Sequence, residues 1–334
     1  MDELKLTVKD KRIIGTLFDN ARMPFSHIGK KSRLSKESVN YRVRRLMSEG
    51  LLVGFNTVID VKRLGWEILF VYIRFRHVDA DEEREILEHL KSHPHVAQLY
   101  RCMGSYDAII KVFVQQYPDI DEIMKDIEAR FREQIDEYRV DYLLQETAVP
   151  FSFLYEFEKG RKTHLLARQT SEPATLQAAD LKVLQVLAKN ARMSFAEIAE
   201  KLKISADLVK YHVKKLEGNG TILKYRPDLL PKRLGYNWYF LILKTGKLSP
   251  QLNSALTSFL LNHPHVTYFY RSAGSSDVQV ELRAKTNEEL SAIVLDIRGI
   301  LKRVLKRSEL LIILDEPKYT YFPDCMMESG RGRR

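Results

Sequence analysis

Apolar residues near the start of the chain recur with the period of an α-helix. Val39, Val43 and Leu46 are spaced i, i+4 and i+7, so they share one face of a helix that Gly50 ends. Two shorter amphipathic helices are predicted before it, with apolar faces at Ile13, Ile14, Leu17, Phe18, Phe25 and Ile28. This pattern is typical of a helix-turn-helix unit whose third helix buries one stripe and exposes the other side.

After Trp66 the pattern changes to one typical of β-strands. Four stretches are rich in β-branched and aromatic residues, namely 68–75, 96–101, 108–114 and 138–148. Amphipathic helices are predicted after the first and third of these strands, and a tight turn joins the second to the third. The order β-α-β-β-α-β predicts a ferredoxin-like domain.

The whole pattern occurs twice, at a constant offset of 170 residues. Asn20-Ala21-Arg22-Met23 recurs as Asn190-Ala191-Arg192-Met193, and His93-Pro94-His95-Val96 recurs as His263-Pro264-His265-Val266. A constant offset means that no net insertion separates the copies. We therefore predict an α+β fold of two tandem units, each a winged helix-turn-helix followed by a ferredoxin-like βαββαβ domain.

The repeat sets the expected domain boundaries. We expect helix-turn-helix domains at 1–60 and 176–230, ferredoxin-like domains at 64–157 and 234–324, a polar linker at 158–175 and a basic tail at 325–334. A ferredoxin-like sheet has helices on one face only, so its other face needs a partner. The two copies can cover each other, which predicts an internal pseudo-dimer.

Composition favours a nucleic-acid partner. The chain has 54 Lys and Arg against 44 Asp and Glu, a net charge of +10, and such an excess attracts polyanions. Cys102 and Cys325 are far apart, which excludes a zinc ribbon and a disulfide framework and fits a reducing cytosol. No signal peptide and no apolar run of membrane-spanning length is seen, so we expect a cytoplasmic protein without a membrane partner.

The outer face of the third helix in each unit carries the candidate DNA contacts. Arg can bond guanine and Asn can bond adenine in the major groove of double-stranded DNA, while flanking cations contact phosphates. A solvated basic helix face is the alternative interpretation. The candidate residues are Lys36, Ser38, Asn40, Tyr41, Arg42, Arg44, Arg45, Lys210, Tyr211, His212, Lys214 and Lys215.

These residues resemble the Lrp/AsnC (leucine-responsive regulator) family. The resemblance rests on Ser35-x-x-x-Val39-x-Tyr41-Arg42-Val43-x-Arg45-Leu46 with Gly50, on the Gly104-x-x-Asp107 turn, and on the second copy of both. It implies an archaeal or bacterial transcription factor whose ferredoxin-like domain senses a small-molecule effector, such as an amino acid, and drives homo-oligomer formation. Carried over, the effector site comprises Gly104, Ser105, Tyr106, Asp107, Gly274, Ser275 and Asp277.

The resemblance also has departures. Family members usually have one unit per chain, whereas this chain has two. His212 stands in the second copy where the first has Arg42, so the two heads are expected to read different half-sites, or one reads weakly. Ser276 stands where the first copy has Tyr106, so the effector pockets need not be equivalent.

An enzyme is the alternative function. Fused Lrp-like pairs also resemble siroheme decarboxylases, which must hold a tetrapyrrole with several carboxylates, need His and Arg in the cleft, and carry an aromatic strand after the turn. This chain instead has Tyr106-Asp107-Ala108-Ile109-Ile110 and Ser276-Asp277-Val278-Gln279-Val280. No phosphate-cradling loop, nucleophile elbow or His-Glu-x-x-His helix occurs. We therefore expect no enzyme activity and no cofactor.

Two His-x-His pairs raise the question of a metal site. Alternate strand residues share a face, so His93 with His95, or His263 with His265, could reach one ion. However, each pair flanks a proline and has no acidic or cysteine ligand nearby in sequence. We expect no metal.

Overall fold

A computed structural model describes residues 3–149, 151, 154 and 173–328. The first unit contains α1 Val8–Asp19, α2 Phe25–Ser32, α3 Lys36–Ser48, β1 Leu52–Ile59, β2 Glu67–Phe75, α4 Ala80–Ser92, β3 Val96–Met103, β4 Ala108–Val114, α5 Tyr117–Phe131 and β5 Ile135–Ala148. The second contains α6 Ala178–Lys189, α7 Phe195–Leu202, α8 Ala206–Gly218, β6 Ile222–Leu229, β7 Asn237–Thr245, α9 Pro250–Asn262, β8 Val266–Gly274, β9 Val278–Ala284, α10 Asn287–Leu301, β10 Leu305–Tyr319 and α11 Cys325–Glu328. Each unit is thus a helix-turn-helix followed by β-α-β-β-α-β, as predicted.

Local sequence signals position the third helix of each head. Ser35 precedes α3, and its Oγ accepts a hydrogen bond from the backbone N–H of Ser38 at 3.1 Å. Ser205 caps α8 in the same way through Leu208, at 3.2 Å. Such caps satisfy N–H groups that have no partner within the helix. They fix where each of these helices starts, and therefore which side chains face outward.

The two ferredoxin-like sheets join into one closed barrel of eight strands, ordered β10-β3-β4-β2-β5-β8-β9-β7. Two antiparallel pairings cross between the units, β3 with β10 and β5 with β8. The units therefore contact each other within one chain, as expected for an internal pseudo-dimer. They do so edge to edge, so that the uncovered face of each sheet becomes the inside of the barrel.

Side chains alternate between the two faces of the barrel wall. On β2, Val71 and Ile73 belong to the core beneath α4 and α5, whereas Phe70 and Tyr72 belong to the core inside the barrel. The ring of Phe70 packs edge-on against that of Phe240, from the second unit, at a centroid distance of 5.7 Å. The barrel interior is therefore a shared aromatic core of both units.

The two heads are held together by a separate two-stranded ribbon. β1 pairs antiparallel with β6, with Asn56 opposite Arg226. Beside the ribbon, Arg22 donates to the carbonyls of Ala191 and Met193, and Arg192 returns the same pair of bonds to the first unit. This reciprocal exchange fixes the heads relative to each other.

Two segments of the predicted domain organisation, the linker and the C-terminal tail, are only partly described by the structure. Residues 158–172 of the predicted linker and 329–334 of the predicted tail lie outside the described residues. The start of that tail forms α11, where Cys325 and Met326 are buried, so this part is packed rather than a free end. Within the described ranges, no helix is long and apolar enough to cross a membrane.

Candidate nucleic-acid interface and ligand sites

The outward faces of α3 and α8 expose aromatic and cationic side chains. Tyr41 is 69% exposed and Tyr211 is 59% exposed, although both are large and partly apolar. Arg44 and Lys214, three residues further along each helix, are also exposed, and neither forms an ion pair within the described parts of the chain. Side chains of this kind can contact base edges and phosphates of DNA. That contact stays a prediction here, as it does for the exposed Lys36 and Lys210.

Three cations predicted for the DNA-binding set turn partly inward. Arg42 and Arg45 each donate to the carboxylate of Asp10 at 2.8 Å, and Asp10 is fully buried at the start of α1. In the second head, Lys215 donates to the buried Asp180 at 2.6 Å. These side chains hold the third helix against the first, because a buried carboxylate needs paired donors.

The predicted outward placement of His212 is wrong. Its side chain is buried, and its Nδ1 lies 2.7 Å from Oδ1 of Asp180. His212 contacts Asp180 as Arg42 contacts the equivalent Asp10 in the first head, so the replacement of Arg by His changes a buried contact within the head. The periodicity of one helix could not reveal this, because Asp180 lies 32 residues away in sequence.

The first predicted effector turn is filled by the chain itself. Ser105 donates to Glu309 of β10 at 2.8 Å, and Tyr106 is buried against Tyr72 with a ring distance of 5.4 Å. A side-chain carbon on Gly104 would lie 2.8 Å from Leu311, which is also on β10. Asp107 accepts a bond from the backbone N–H of Phe75 at 2.7 Å, a structural role within the turn.

The second effector turn holds a carboxylate from the first unit. Asp141 of β5 accepts hydrogen bonds from the backbone N–H groups of Ser275 and Ser276, from both hydroxyls and from Gln279. Asp277 has the same structural role as its counterpart, accepting from the N–H of Thr245 at 2.7 Å. Because the turn donors are satisfied internally, binding of an amino-acid carboxylate here would require Asp141 to leave.

Gly274 sits where the second turn meets Asp141. It has φ +143°, and an added Cβ would lie 2.5 Å from Oδ1 of Asp141. We expect Gly274→Ala to destabilise the protein by about 3 kcal/mol, because it combines backbone strain with overpacking. Urea denaturation would measure this, with Gly299→Ala in an open position of α10 as the matched control. A Gly274→Ala midpoint no lower than that of the control would contradict this account of the turn.

The His-x-His pairs have backbone roles. Nδ1 of His93 accepts from the N–H of His95 at 3.2 Å, and Nδ1 of His95 lies 2.7 Å from the carbonyl oxygen of Phe113. His263 and His265 repeat this arrangement. Burial lowers the pKa of His93 to about 4, so this ring is neutral at pH 7. Within the described residues, no group of three or more His, Cys, Asp or Glu could hold a metal ion.

A cavity of about 590 Å³ lies between the barrel interior and the ribbon. Its wall combines Tyr100, Trp238 and Tyr270 with charged residues of both signs, including Glu281 and Glu316. Arg226 and Asp228, from ribbon strand β6, also line it. The cavity is of the size that binds small organic molecules.

Comparison with known proteins assigns both parts of the first unit and the head of the second. A winged helix-turn-helix DNA-binding model matches residues 6–53 and 176–222, and an Lrp/AsnC ligand binding domain model matches residues 68–140. The chain is 32% identical over 129 residues to the HTH-type transcriptional regulator Rv2324 of Mycobacterium tuberculosis, covering 84% of that protein and 38% of this chain. It is 33% identical over 118 residues to the regulator LrpA of Pyrococcus horikoshii, covering 81% of that protein and 35% of this chain. The chain belongs to the Lrp/AsnC family.

This Lrp/AsnC protein is similar over its whole length to a tandem structure. The siroheme decarboxylase NirDL superposes with a TM-score of 0.61 at 13% identity, covering 97% of both chains. NirDL in co-complex with an iron-uroporphyrin III analogue gives 0.61 at 14% identity, covering 96% of both chains. At this identity the likeness shows the shared fold, two tandem units in one chain.

The cavity of this Lrp/AsnC protein is not predictable from one stretch of its sequence. Its wall comes from strands of both units, so no single stretch of sequence contains it. One signal was available in the repeat. Lys111 and Glu146 of the first unit align with Glu281 and Glu316 of the second. A pair of opposite charges in the first unit thus corresponds to two acids in the second.

Proposed function

We propose that this Lrp/AsnC protein is a transcriptional regulator that binds double-stranded DNA sequence-specifically through α3 and α8. The observation that carries the proposal is the pair of exposed faces around Tyr41 with Arg44 and Tyr211 with Lys214. A solvent-exposed aromatic ring beside an exposed cation can contact DNA, which offers both base edges and phosphates.

The ribbon supports the same proposal. DNA-binding heads that read two half-sites need a fixed separation, because half-site spacing is set by the protein. The β1–β6 pairing and the exchanged bonds of Arg22 and Arg192 supply such a connection. The heads carry different outer residues, such as Asn40 against Lys210, so the two half-sites would differ in sequence.

Fluorescence anisotropy with DNA fragments tests the proposal. A genome-wide binding map should first yield a bipartite motif, and a labelled duplex carrying it should bind more tightly than a scrambled duplex, by about 10³-fold or more. Affinity should fall steeply with salt, because phosphate neutralisation releases counterions. Equal binding of both duplexes would refute sequence-specific recognition.

A tetrapyrrole decarboxylase is the second candidate function. The whole-chain likeness to NirDL favours it. The charge of the cavity wall does not favour it, because the lining acids Asp228, Glu281, Asp315 and Glu316 outnumber the lining cations Arg226, Lys232 and Arg283, and the substrate carries several carboxylates. Among the described lining residues there is no histidine to serve as a proton donor. Titration with siroheme separates the two functions, since a shifted absorbance band at stoichiometric protein would support the enzyme.

A further inference from the structure

One pair of equivalent positions inside the barrel carries different residue types in the two halves. In the first half, Nζ of Lys111 lies 2.9 Å from Glu146, and both side chains are buried. The same positions of the second half, 170 residues later, hold Glu281 and Glu316. The repeat therefore replaces a buried ion pair by two carboxylates at the site where the cavity lies.

The neighbours of these two acids leave them without a bound cation. Glu281 accepts a hydrogen bond from the hydroxyl of Tyr270 at 2.5 Å. Glu316 forms no ion pair or side-chain hydrogen bond among the described residues. Burial raises the pKa of both carboxyls, and for Glu316 the nearby charges of Glu281 and Asp228 raise it further, against the opposite effect of Arg283 and Lys111.

Arg283 does not take the place of the missing cation. Its guanidinium lies over the ring of Trp238, 3.6 Å from the centroid, and its buried Nε has no hydrogen-bond partner. No ion pair joins it to Glu281 or Glu316 within the described part of the chain. Stacked on Trp238, Arg283 lines the cavity together with the two acids and acts on them through its charge without an ion pair.

The surroundings of Lys111 show what a cation in this space would contact. Its ammonium lies 5.9 Å from the ring centroid of Phe70 and 5.7 Å from that of Tyr270. The equivalent rings of the second half are Phe240 and Tyr100, and Tyr100 lines the cavity. Ring faces and paired carboxylates are the groups by which proteins recognise ammonium ligands.

We propose that the cavity binds a small organic amine, whose ammonium group stands between Glu281 and Glu316 where Lys111 stands in the first half. A volume of about 590 Å³ accommodates such a molecule. Asp228, also on the wall, is a further carboxylate that a second ammonium group could contact in exchange for Asn56 and Arg226, so a diamine is the probe we choose.

The site adjoins the strand that holds the heads. Arg226 and Asp228 lie on β6, and Arg226 is bonded to the hydroxyl of Tyr268 on the barrel strand β8. A bound amine would thus contact both the ribbon and the barrel, and it could change the position of the heads relative to the barrel. This regulatory consequence rests on the proposed function, whereas binding of the amine does not.

Cadaverine tests the binding in the absence of DNA, with glutarate as a probe of similar chain length and opposite charge. We expect cadaverine to raise the Tm of the full chain and to change the fluorescence of Trp238, and glutarate to do neither. Glu316→Gln should weaken cadaverine binding by about tenfold or more, because one charge-assisted contact is lost. Glu88→Gln, an exposed carboxylate on α4, is the matched control and should bind as the wild type does.

Glu281→Lys provides the most specific variant. It rebuilds the Lys111–Glu146 arrangement in the second half, so we expect a folded protein that no longer responds to cadaverine. If the lysine variant fails to fold, Glu281→Gln is tested in its place. We expect it to lose about as much affinity for cadaverine as Glu316→Gln does. Equal responses to cadaverine and glutarate, no response to cadaverine, or unchanged affinity in Glu316→Gln would overturn the proposal.

Anisotropy with a labelled duplex keeps this proposal apart from the proposed function. DNA binding without a cadaverine response would overturn only the amine site. A cadaverine response in a protein that ignores duplexes would overturn only the regulator.

Discussion

Changing Arg44 and Lys214 together to Ala should weaken DNA binding by about 10- to 100-fold at moderate salt, since each removes a charge that would contact DNA. Both are exposed on the outward faces of α3 and α8. The slope of log affinity against log salt should fall by about one unit for each lost phosphate contact. Anisotropy titrations at several salt concentrations measure both quantities.

The matched control for this variant is Arg303→Ala with Lys306→Ala. These exposed residues lie around the end of α10, away from the heads, and their loss changes the net charge by the same two units. We expect the control to bind DNA nearly as the wild type does. An equal loss in both double variants would mean that overall charge, rather than the third helices, determines DNA binding.

Asp10→Ala should destabilise the first head by about 3 kcal/mol, because it leaves Arg42 and Arg45 without their buried acceptor. It also removes the reciprocal cap in which Thr7 and Asp10 bond each other at the start of α1. Asp121→Ala, which breaks only the exposed pair with Lys125, should cost less than about 1 kcal/mol. Urea denaturation, with DNA binding measured separately, tests both.

The pH dependence follows from the same contacts. Burial opposes ionisation of Asp10, but hydrogen bonds from Thr7 and Arg42 and the charge of Arg45 outweigh it and hold its pKa below the usual 3.8. A carboxyl whose pKa is lowered by folding stabilises the folded state at pH values above its pKa in the unfolded chain. This contribution is lost as the pH falls below 3.8. Wild type and Asp10→Ala should therefore converge in stability on acidification. A constant difference down to pH 2 would contradict this assignment.

The sequence predicts the elements well and the site only in part. The stripe of Val39, Val43 and Leu46 places α3, and all three are buried. The sequence pattern could not predict which polar residues of the third helices face outward, because the partners of Arg42 and His212 lie on another helix. A helical period shows one face of one element, whereas a buried acid elsewhere can draw a cation inward.

The cavity shows the same limit in the β part. Each strand could be recognised from its own residues, but the closure of two sheets into one barrel depends on the β3–β10 and β5–β8 pairings. Those pairings join residues far apart in the chain, and the residue pattern of one strand does not say which distant strand pairs with it. Only the loss of charge complementarity at Glu281 and Glu316 was visible beforehand.

Covalent fusion of the two units also removes a constraint that acts on symmetric dimers. In a dimer of identical subunits every substitution occurs at two places, so a change that suits one side alters the other as well. Here the barrel closes within one polypeptide, and its halves have become different inside, as Asp141 facing Ser276 and Leu311 facing Gly104 illustrate. One half can therefore specialise for a ligand while the other keeps a self-contained core, and exchange between molecules cannot mix the two.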